Sequence, residues 1–433
     1  MKNLPQLLSV FLLVFSSVYA QQEKGIIGTN NWLNSWTEFN PEQVEYGEAT
    51  EILTGNISTD TKLLKKNTYM LLGNVFVTDN ATLTIEPGTV IIGDYKTGGS
   101  LIITKGASIV ADGLVTDPII FTSNRSVKKA GDWGGIIILG DAPINKFGNG
   151  SSVNHNFKSA AYEHTSYGGD SIADNSGVLR YVRIEFAGKK LANGNNFNSL
   201  LLAGVGSQTT LENVMISYSA GNSIDVYGGQ VNLSKMVSYK SNRIDFNFNY
   251  GTQCNIYNSL AVRSSYISSP EGSRTMHVAS YTDDKSEIDF SKKQTSVTAT
   301  NLTLINNSTD LKTEIDMGLV KEAIFVAESS SLDMGKSVIS GFNPAVLFEN
   351  KIKINNESLA KIKFTDMYFN NCKGNIFVEY NSNNEDLESW YGNSSFFNVY
   401  SKGLDSETFI DIRNAKRPDF RLRINKIIAS SLD

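Results

Sequence analysis

A strand rhythm constrains this chain more than any other feature. Thr82-Leu83-Thr84-Ile85 alternates as a β-strand does, and the alternation returns at Leu101/Ile103, Ile119/Phe121 and Ile137/Leu139, each 18 residues further on. Glycines keep step, since Gly88 in Glu86-Pro87-Gly88 is followed 18 residues later by Gly106 in Lys105-Gly106-Ala107. A second series has longer steps. Leu211/Val214/Ile216 leads to Leu233/Met236 after 22 residues and to Ile256/Leu260 after 23 to 24, while Ile224/Val226 leads to Ile244/Phe246 after 20. A unit this small cannot enclose a core alone; short strands bury their alternate side chains only when units pile up at the strand spacing of ~4.8 Å. The prediction is an all-β fold, a single-stranded parallel β-helix. An antiparallel sandwich, the main rival, has no reason to keep one period over four units. Right-handed winding is expected, because parallel crossovers strongly prefer it. Asn213, Asn258 and Asn301 share an apolar-x-Asn context and are expected to stack as side-chain ladders at bends.

Composition fits a solenoid of turns. Of 433 residues 44 are Asn and 35 Gly, and such amide and glycine surfaces suit bends better than helix faces. A net charge of −5 excludes a basic nucleic-acid binder. Met1 to Ala20 has one Lys, an apolar stretch from Leu7 to Phe15 and small residues before Gln21, as a cleaved secretory signal does. That stretch is about half the ~20 residues a membrane helix needs, and no other long apolar run exists. Gln21 stands where a lipoprotein would carry Cys, so the expected product is secreted or held at the cell surface without a lipid anchor.

The expected layout is a signal peptide at 1–20, a cap at 21–67 with Trp32 and Trp36 covering the first coil, and the β-helix over 68–433. A glycine-rich, aperiodic loop from Ala142 to Asp174 is expected to project from one coil, and Arg417 to Ile424 to close the far end. Cys254 and Cys372 lie 118 residues apart, roughly five coils or ~25 Å at the strand spacing, so they are expected to stay unpaired. One copy of the chain is the expected working unit.

Four segments carry a resemblance: Thr82-Leu83-Thr84-Ile85-Glu86-Pro87-Gly88-Thr89, the run from Gly131-Asp132-Trp133-Gly134-Gly135 to Gly140, the run from Asp174 to Gly188, and the tryptophan-bearing start. Over roughly residues 25 to 265 the chain resembles a group of exported right-handed β-helix proteins from Bacteroidetes. The resemblance implies a cell-surface or secreted protein of pectate-lyase-like shape, with no established reaction to carry over.

Candidate site residues cluster near the loop. Asp132, Asp170 and Asp174, with Asp141, Glu163 and His164 nearby, offer oxygen ligands that could hold Ca²⁺, although their spacing fits no EF-hand and Asp132 could equally cap a turn. No other cofactor is expected, and His155, His164 and His277 are too dispersed for a zinc site. Tyr181, Arg183 and Glu185 alternate with Val182, Ile184 and Phe186, which places the polar three on the outer face. Arg183 beside Glu185 could serve a lyase as a catalytic pair, or simply form an ion pair on an exposed sheet. Tyr162, Tyr167 and Tyr181, with Glu163 and His164, could bind sugar rings, or pack as strand aromatics usually do. Two readings follow: a non-catalytic solenoid binding glycan or another surface molecule, and a lyase or hydrolase of acidic polysaccharide on the same scaffold.

Overall fold

The computed structural model describes residues 24–153, 164–191, 194–267, 272–282 and 284–423; the expected signal peptide lies outside them. Among the described residues twenty-nine strands join in one parallel assembly, wound so that each turn contributes a strand to each of three stacked sheets. The first sheet runs from Glu51, paired with Tyr69, through Val90–Gly93 and Ile119–Ser123 to Val399–Ser401. The second includes Ser100–Ile103, Ile136–Leu139 and Ile224–Tyr227, and the third includes Thr82–Ile85, Ser108–Asp112 and Gln253–Tyr257. Leu83, Ile109 and Leu179 on the third sheet, Ile91 and Phe121 on the first and Leu101 and Ile136 on the second all point into one continuous apolar core.

The fold agrees with the strand alternation, but the 18-residue period is not the coil. Leu83, Leu101, Ile119 and Ile137 lie in the third, second, first and second sheets. Leu83 pairs with Ile109 and Val75 with Leu101, so a coil here takes 26 residues. The reason is geometric: successive strands start about every 8 to 10 residues, so two sides of a three-sided coil make 18. In the later series Leu211 does pair with Leu233, and Leu233 with Ile256. Ile224, however, pairs with Phe246 rather than Ile244. Cys254 and Cys372 are both free. They stand three rungs apart rather than five, still ~14 Å at the strand spacing.

The corner between the third and first sheets turns through single left-handed residues, and Asn213, Asn258 and Asn301 occupy three of these positions, with φ of 53°, 47° and 59°. Asn adopts this conformation more readily than most residues. The expected side-chain ladder is not what Asn258 and Asn301 form. Asn258 Oδ1 accepts the Ile27 N–H at 2.8 Å and its Nδ2 donates to the Ile27 carbonyl at 3.1 Å, while Asn301 Nδ2 donates to the Gly25 carbonyl at 3.1 Å.

Those bonds reveal what the N-terminal segment does. It does not cap the first coil, because the coil already begins at Glu51, whose strand Glu51–Ile57 is largely exposed. Residues 24 to 46 instead form a strap along the outer surface of the first sheet. Lys24 pairs with Asp366 at 2.8 Å near the last coils, Trp36 meets Tyr181 edge-on at 5.9 Å, and Tyr46 reaches Arg183 at the early coils. Ile26, Leu33, Trp36 and Phe39 pack on the outward side chains Met215, Leu260, Val262, Ile305, Val338 and Tyr368 as a second, external core.

The C-terminal segment takes part in the same layer rather than closing the end. Strands Phe409–Asp411 and Asp419–Leu422 pair antiparallel, Phe420 packs 6.1 Å from Phe39, and Arg421 donates to the Gly28 carbonyl at 2.7 Å. The far end of the solenoid is closed by helix Glu385–Tyr391, which lays Leu387 and Tyr391 on the inner core; the Tyr391 hydroxyl donates to the Ile362 carbonyl at 2.7 Å.

Replacing Asn258 with Ala leaves both backbone groups of Ile27 without their partners, at a cost of about 1–3 kcal/mol. The expected outcome is faster proteolytic cleavage within residues 24–46 with far-UV dichroism of the solenoid retained. Unchanged cleavage rates would show that the strap does not depend on this residue.

Candidate functional site

Arg183 and Glu185 do project from the outer side of the first sheet, as the alternation predicts, but the strap covers them. Their exposures are 8% and 1%, so neither an open catalytic pair nor an ion pair on an exposed sheet describes them. Arg183 Nε lies 3.3 Å from Glu185 Oε1, Arg183 Nη2 donates to the Tyr46 hydroxyl at 2.7 Å, and that hydroxyl donates to Glu185 at 3.4 Å. Burial raises the Glu185 carboxyl above its ordinary range, with Arg183 opposing the shift. The trio fastens the strap to an early coil.

The three aspartates proposed for Ca²⁺ do not converge. Asp132 is buried and satisfied by Ser123 at 2.7 Å, Arg125 at 2.9 Å and the Lys129 N–H at 2.9 Å, which makes it the organiser of its own turn. Asp174 accepts from Ser176 at 3.0 Å, and burial raises its carboxyl. Asp170 is exposed and accepts from Asn149. Asp141 pairs with Lys105 at 3.0 Å. Among the described residues no three His, Cys, Asp or Glu side chains are placed to share a metal ion.

The tyrosines behave as packing residues. Tyr167 is 2% exposed and joins Ile144, Val153, Ile137 and Leu201, while Tyr181 is half-buried against Trp36. His164 lies 5.4 Å from Phe76, ring to ring. Tyr162, Glu163 and His155 lie outside the described residues. The loop expected to project is instead laid on the solenoid in its described parts. Asn145 donates to the Tyr250 carbonyl, Phe147 to Glu287, and Gly168 to Gly140. Its close approach needs glycine beneath it: at Gly251, φ 86°, a Cβ would come within 2.8 Å of both Asn145 Cβ and the Lys293 carbonyl.

Two arrangements were not anticipated. The first is a polar ladder on the outer row of the second sheet, where Asp225, Asn247 and His277 stand directly opposite one another. Asp225 accepts from the amides of Asn198 at 2.5 Å, Asn222 at 3.1 Å and Asn247 at 2.5 Å. Because the Asn247 amide faces Asp225, its Oδ1 faces His277, so the proton of that 2.8 Å contact belongs to Nδ1 of the imidazole. Burial, against the pull of the amide donors, pushes Asp225 up to about 6, and burial with nearby Arg274 holds His277 down to about 3. The imidazole therefore stays neutral near pH 7. The signal was present as one polar residue centred in each of Ile224-Asp225-Val226, Phe246-Asn247-Phe248 and Met276-His277-Val278.

The second is a groove at the corner where the second sheet turns into the third. One part, of 320 Å³, lies between the loop residues Pro143, Ile144 and Asp170 and the corner residues Gly229 and Gln230. The other, of 680 Å³, is bordered by Phe290, Ser329, Ser330, Lys351, Lys353 and Lys361. Gln253 and Lys293 line both parts, so the two hollows adjoin one another. Phe290 is 44% exposed on its wall. The loop singled out from the sequence thus does border a cleft, although through residues other than those expected.

Residues 55–403, most of the chain, match the model of a family described as a pectate-lyase like beta helix domain. The chain belongs to this family. No curated protein matches it. Among solved structures it is similar to the Streptococcus pneumoniae surface protein and adhesin PfbA, at 11% identity and a TM-score of 0.32, covering 75% of this chain and 92% of that one. Among the described residues of this pectate-lyase-like β-helix, no helix is long and apolar enough to cross a membrane.

Three fully buried carboxyls of this β-helix, Glu185, Asp225 and Asp245, are all raised by burial. For Asp225 the folded value of about 6 exceeds the unfolded value of about 3.9. Between those values the folded chain holds a proton that the unfolded chain has released, so this group's contribution to stability is lost as pH rises through about 6. The difference is worth about 3 kcal/mol by pH 7. His277, held down by burial, acts in the opposite sense as the unfolded chain takes up its proton below about 6.5, so the Asp225 effect is read against Asp225→Asn: the melting temperature of the parent relative to that variant should rise as pH falls from 7 to 5, and a fall of that difference would contradict the raised carboxyl.

Proposed function

We propose that this β-helix is exported and binds a glycan or another surface molecule along the corner groove, without chemistry, at the cell surface or after secretion. The observation that carries this reading is the groove itself, long, open and walled by loops. Around the solenoid the strap and the C-terminal strands cover much of the first sheet, and the glycine-rich loop lies over early rungs of the second. The groove offers the hydroxyls of Ser329, Ser331 and Ser358 and the Gln253 amide oxygen as hydrogen-bonding partners, while the amide NH2 groups of Gln253 and Gln294 and the Ser330 hydroxyl are engaged with backbone carbonyls. Sugar hydroxyls are matched by such amides and hydroxyls, and an exposed aromatic wall such as Phe290 gives a pyranose face something to lie against. The signal-like Met1 to Ala20 supports export. Arg183 and Glu185, sealed beneath the strap, offer no reacting groups to a substrate in this groove.

A glycan array probed with residues 21–433 tests the proposal. Binding to at least one glycan class is expected, with a several-fold loss on Phe290→Ala and no release of unsaturated uronide ends from bound polymers. Absence of binding to every glycan would overturn the glycan as ligand, and turnover of one would overturn binding without chemistry.

A further inference from the structure

The amides of the polar ladder on the second sheet are not equally fixed. Asn198 Nδ2 and Asn222 Nδ2 both donate to Asp225 Oδ2, and the oxygens of the same two amides accept backbone N–H groups, Asn198 Oδ1 from Asn222 at 3.2 Å and Asn222 Oδ1 from Ile244 at 3.2 Å. Turning either amide over would set an NH2 group against an N–H, so both are locked. Asn247 is held differently. Its Nδ2 donates to Asp225 Oδ1, and among the described residues its Oδ1 accepts only from the imidazole of His277, a group that can itself change.

This asymmetry decides where a proton on Asp225 goes. Oδ2 faces two locked donors, so the proton belongs on Oδ1, where it needs an acceptor. Asn247 supplies one by turning its amide over, with Oδ1 toward Asp225 and Nδ2 toward His277. Nδ1 of the imidazole must then accept, so its proton leaves to solvent and another arrives at Nε2. In all, one proton is taken up, by Asp225, and the ring is neutral before and after. His277 is partly exposed, and its Nε2 has no hydrogen-bond partner among the described residues, so a lone pair at this position becomes an N–H.

We infer that Asp225, Asn247 and His277 form a relay in which a proton taken up by Asp225 turns over the Asn247 amide and switches the neutral His277 ring from the Nδ1–H to the Nε2–H tautomer. The signal crosses two rung spacings, ~10 Å. Among the described residues Asp225 is faced by Arg243 and the Tyr227 hydroxyl, with Tyr167 and Tyr250 also within electrostatic reach. Burial raises all three tyrosines, which keeps them protonated. His277 is faced by Arg274, which is paired with Glu322 at 2.7 Å and lies 4.6 Å over the Phe325 ring. The guanidinium and burial hold the imidazole down to about 3, whereas Asp225 takes up its proton near 6, so the ring is still neutral when the relay turns. Tyr227 is the competing acceptor, since its hydroxyl could rotate to take the Asp225 proton in place of Asn247.

Nitrogen NMR of the chain with isotope-labelled histidine tests the relay, because the two neutral tautomers and the imidazolium have distinct ring-nitrogen shifts. The chain has three histidines, and the signals of His277 are those lost in His277→Gln. The parent should show the Nδ1–H tautomer at pH 8 and the Nε2–H tautomer at pH 4.5, with a midpoint near 6. Asp225→Asn should hold Nε2–H at both pH values, because an amide at this position, its oxygen facing the locked donors, gives Asn247 an N–H as the protonated acid does. Asn247→Ala should leave one tautomer at both values, and Tyr227→Phe should keep the switch. A single tautomer throughout in the parent, which needs no variant to fold, would overturn the relay, as would an imidazolium forming near pH 6. Persistence of the switch in Asp225→Asn or Asn247→Ala would overturn it too. A switch appearing only in Tyr227→Phe would show that Tyr227 takes the proton instead, with the same consequence.

Discussion

Everything in this molecule depends on parallel backbone pairing repeated in register along three sheets. Each rung is too small to bury anything by itself, and its apolar side chains become interior only because an identical phase of alternation lies above and below at the strand spacing. Leu83 beneath Ile109, and Val226 beneath Phe248, are buried by neighbours one coil away, not by residues close in sequence. The phase must survive coils of very different length. Between Val231 and Cys254 the chain spends 23 residues on one turn, and between Cys254 and Val297 it spends 43, yet the pairing continues without a slip. Added length is discharged outward at corners, which is why the loops that wall the groove can be long without disturbing the core.

The parts of this design governed by local rules were legible in the sequence. Alternation named the strands, and the short spacing between them named the parallel solenoid. The coil length was misread because strands of one coil resemble strands of the next, so Leu83, Ile91 and Leu101 look like repeats of one position although they belong to three sheets. The segment Gly131-Asp132-Trp133-Gly134-Gly135, which carried much of the family resemblance, proves to be scaffold. Trp133 fills the core beside Phe121 and donates its indole N–H to the Glu185 carbonyl at 2.7 Å.

The candidate site was much less legible, for a physical reason. Arg183 and Glu185 sit on the outward face that alternation assigns them, but nothing near them in sequence says that residues 24 to 46 will return to cover it. Tyr167 looks like a ligand-binding aromatic until its neighbours Ile137 and Leu201 are known. The groove lysines occupy ordinary polar loops some sixty residues apart along the chain, and only the winding brings Lys293 and Lys353 to one corner. Asp225, Asn247 and His277 were findable in principle, because a charged or polar residue centred between apolar strand neighbours at one repeating phase contradicts a simple apolar row.

The strap gives the chain an order of events. Its residues precede every rung along the chain, yet Lys24 needs Asp366, and Gly25 and Ile27 need Asn301 and Asn258, which follow hundreds of residues later. Rungs can accumulate one upon another as they appear, whereas the strap must wait for nearly the last of them. Until it docks, the outward row of Met215, Leu260, Val338 and Tyr368 stays wet, an apolar stripe running along one side of a nearly finished solenoid. The strap is thus a seam sewn across the sequence: residues 24 to 46 close a stripe whose two edges are drawn from rungs as early as Arg183 and as late as Asp366, so the outer core is completed only when distant stretches of chain meet.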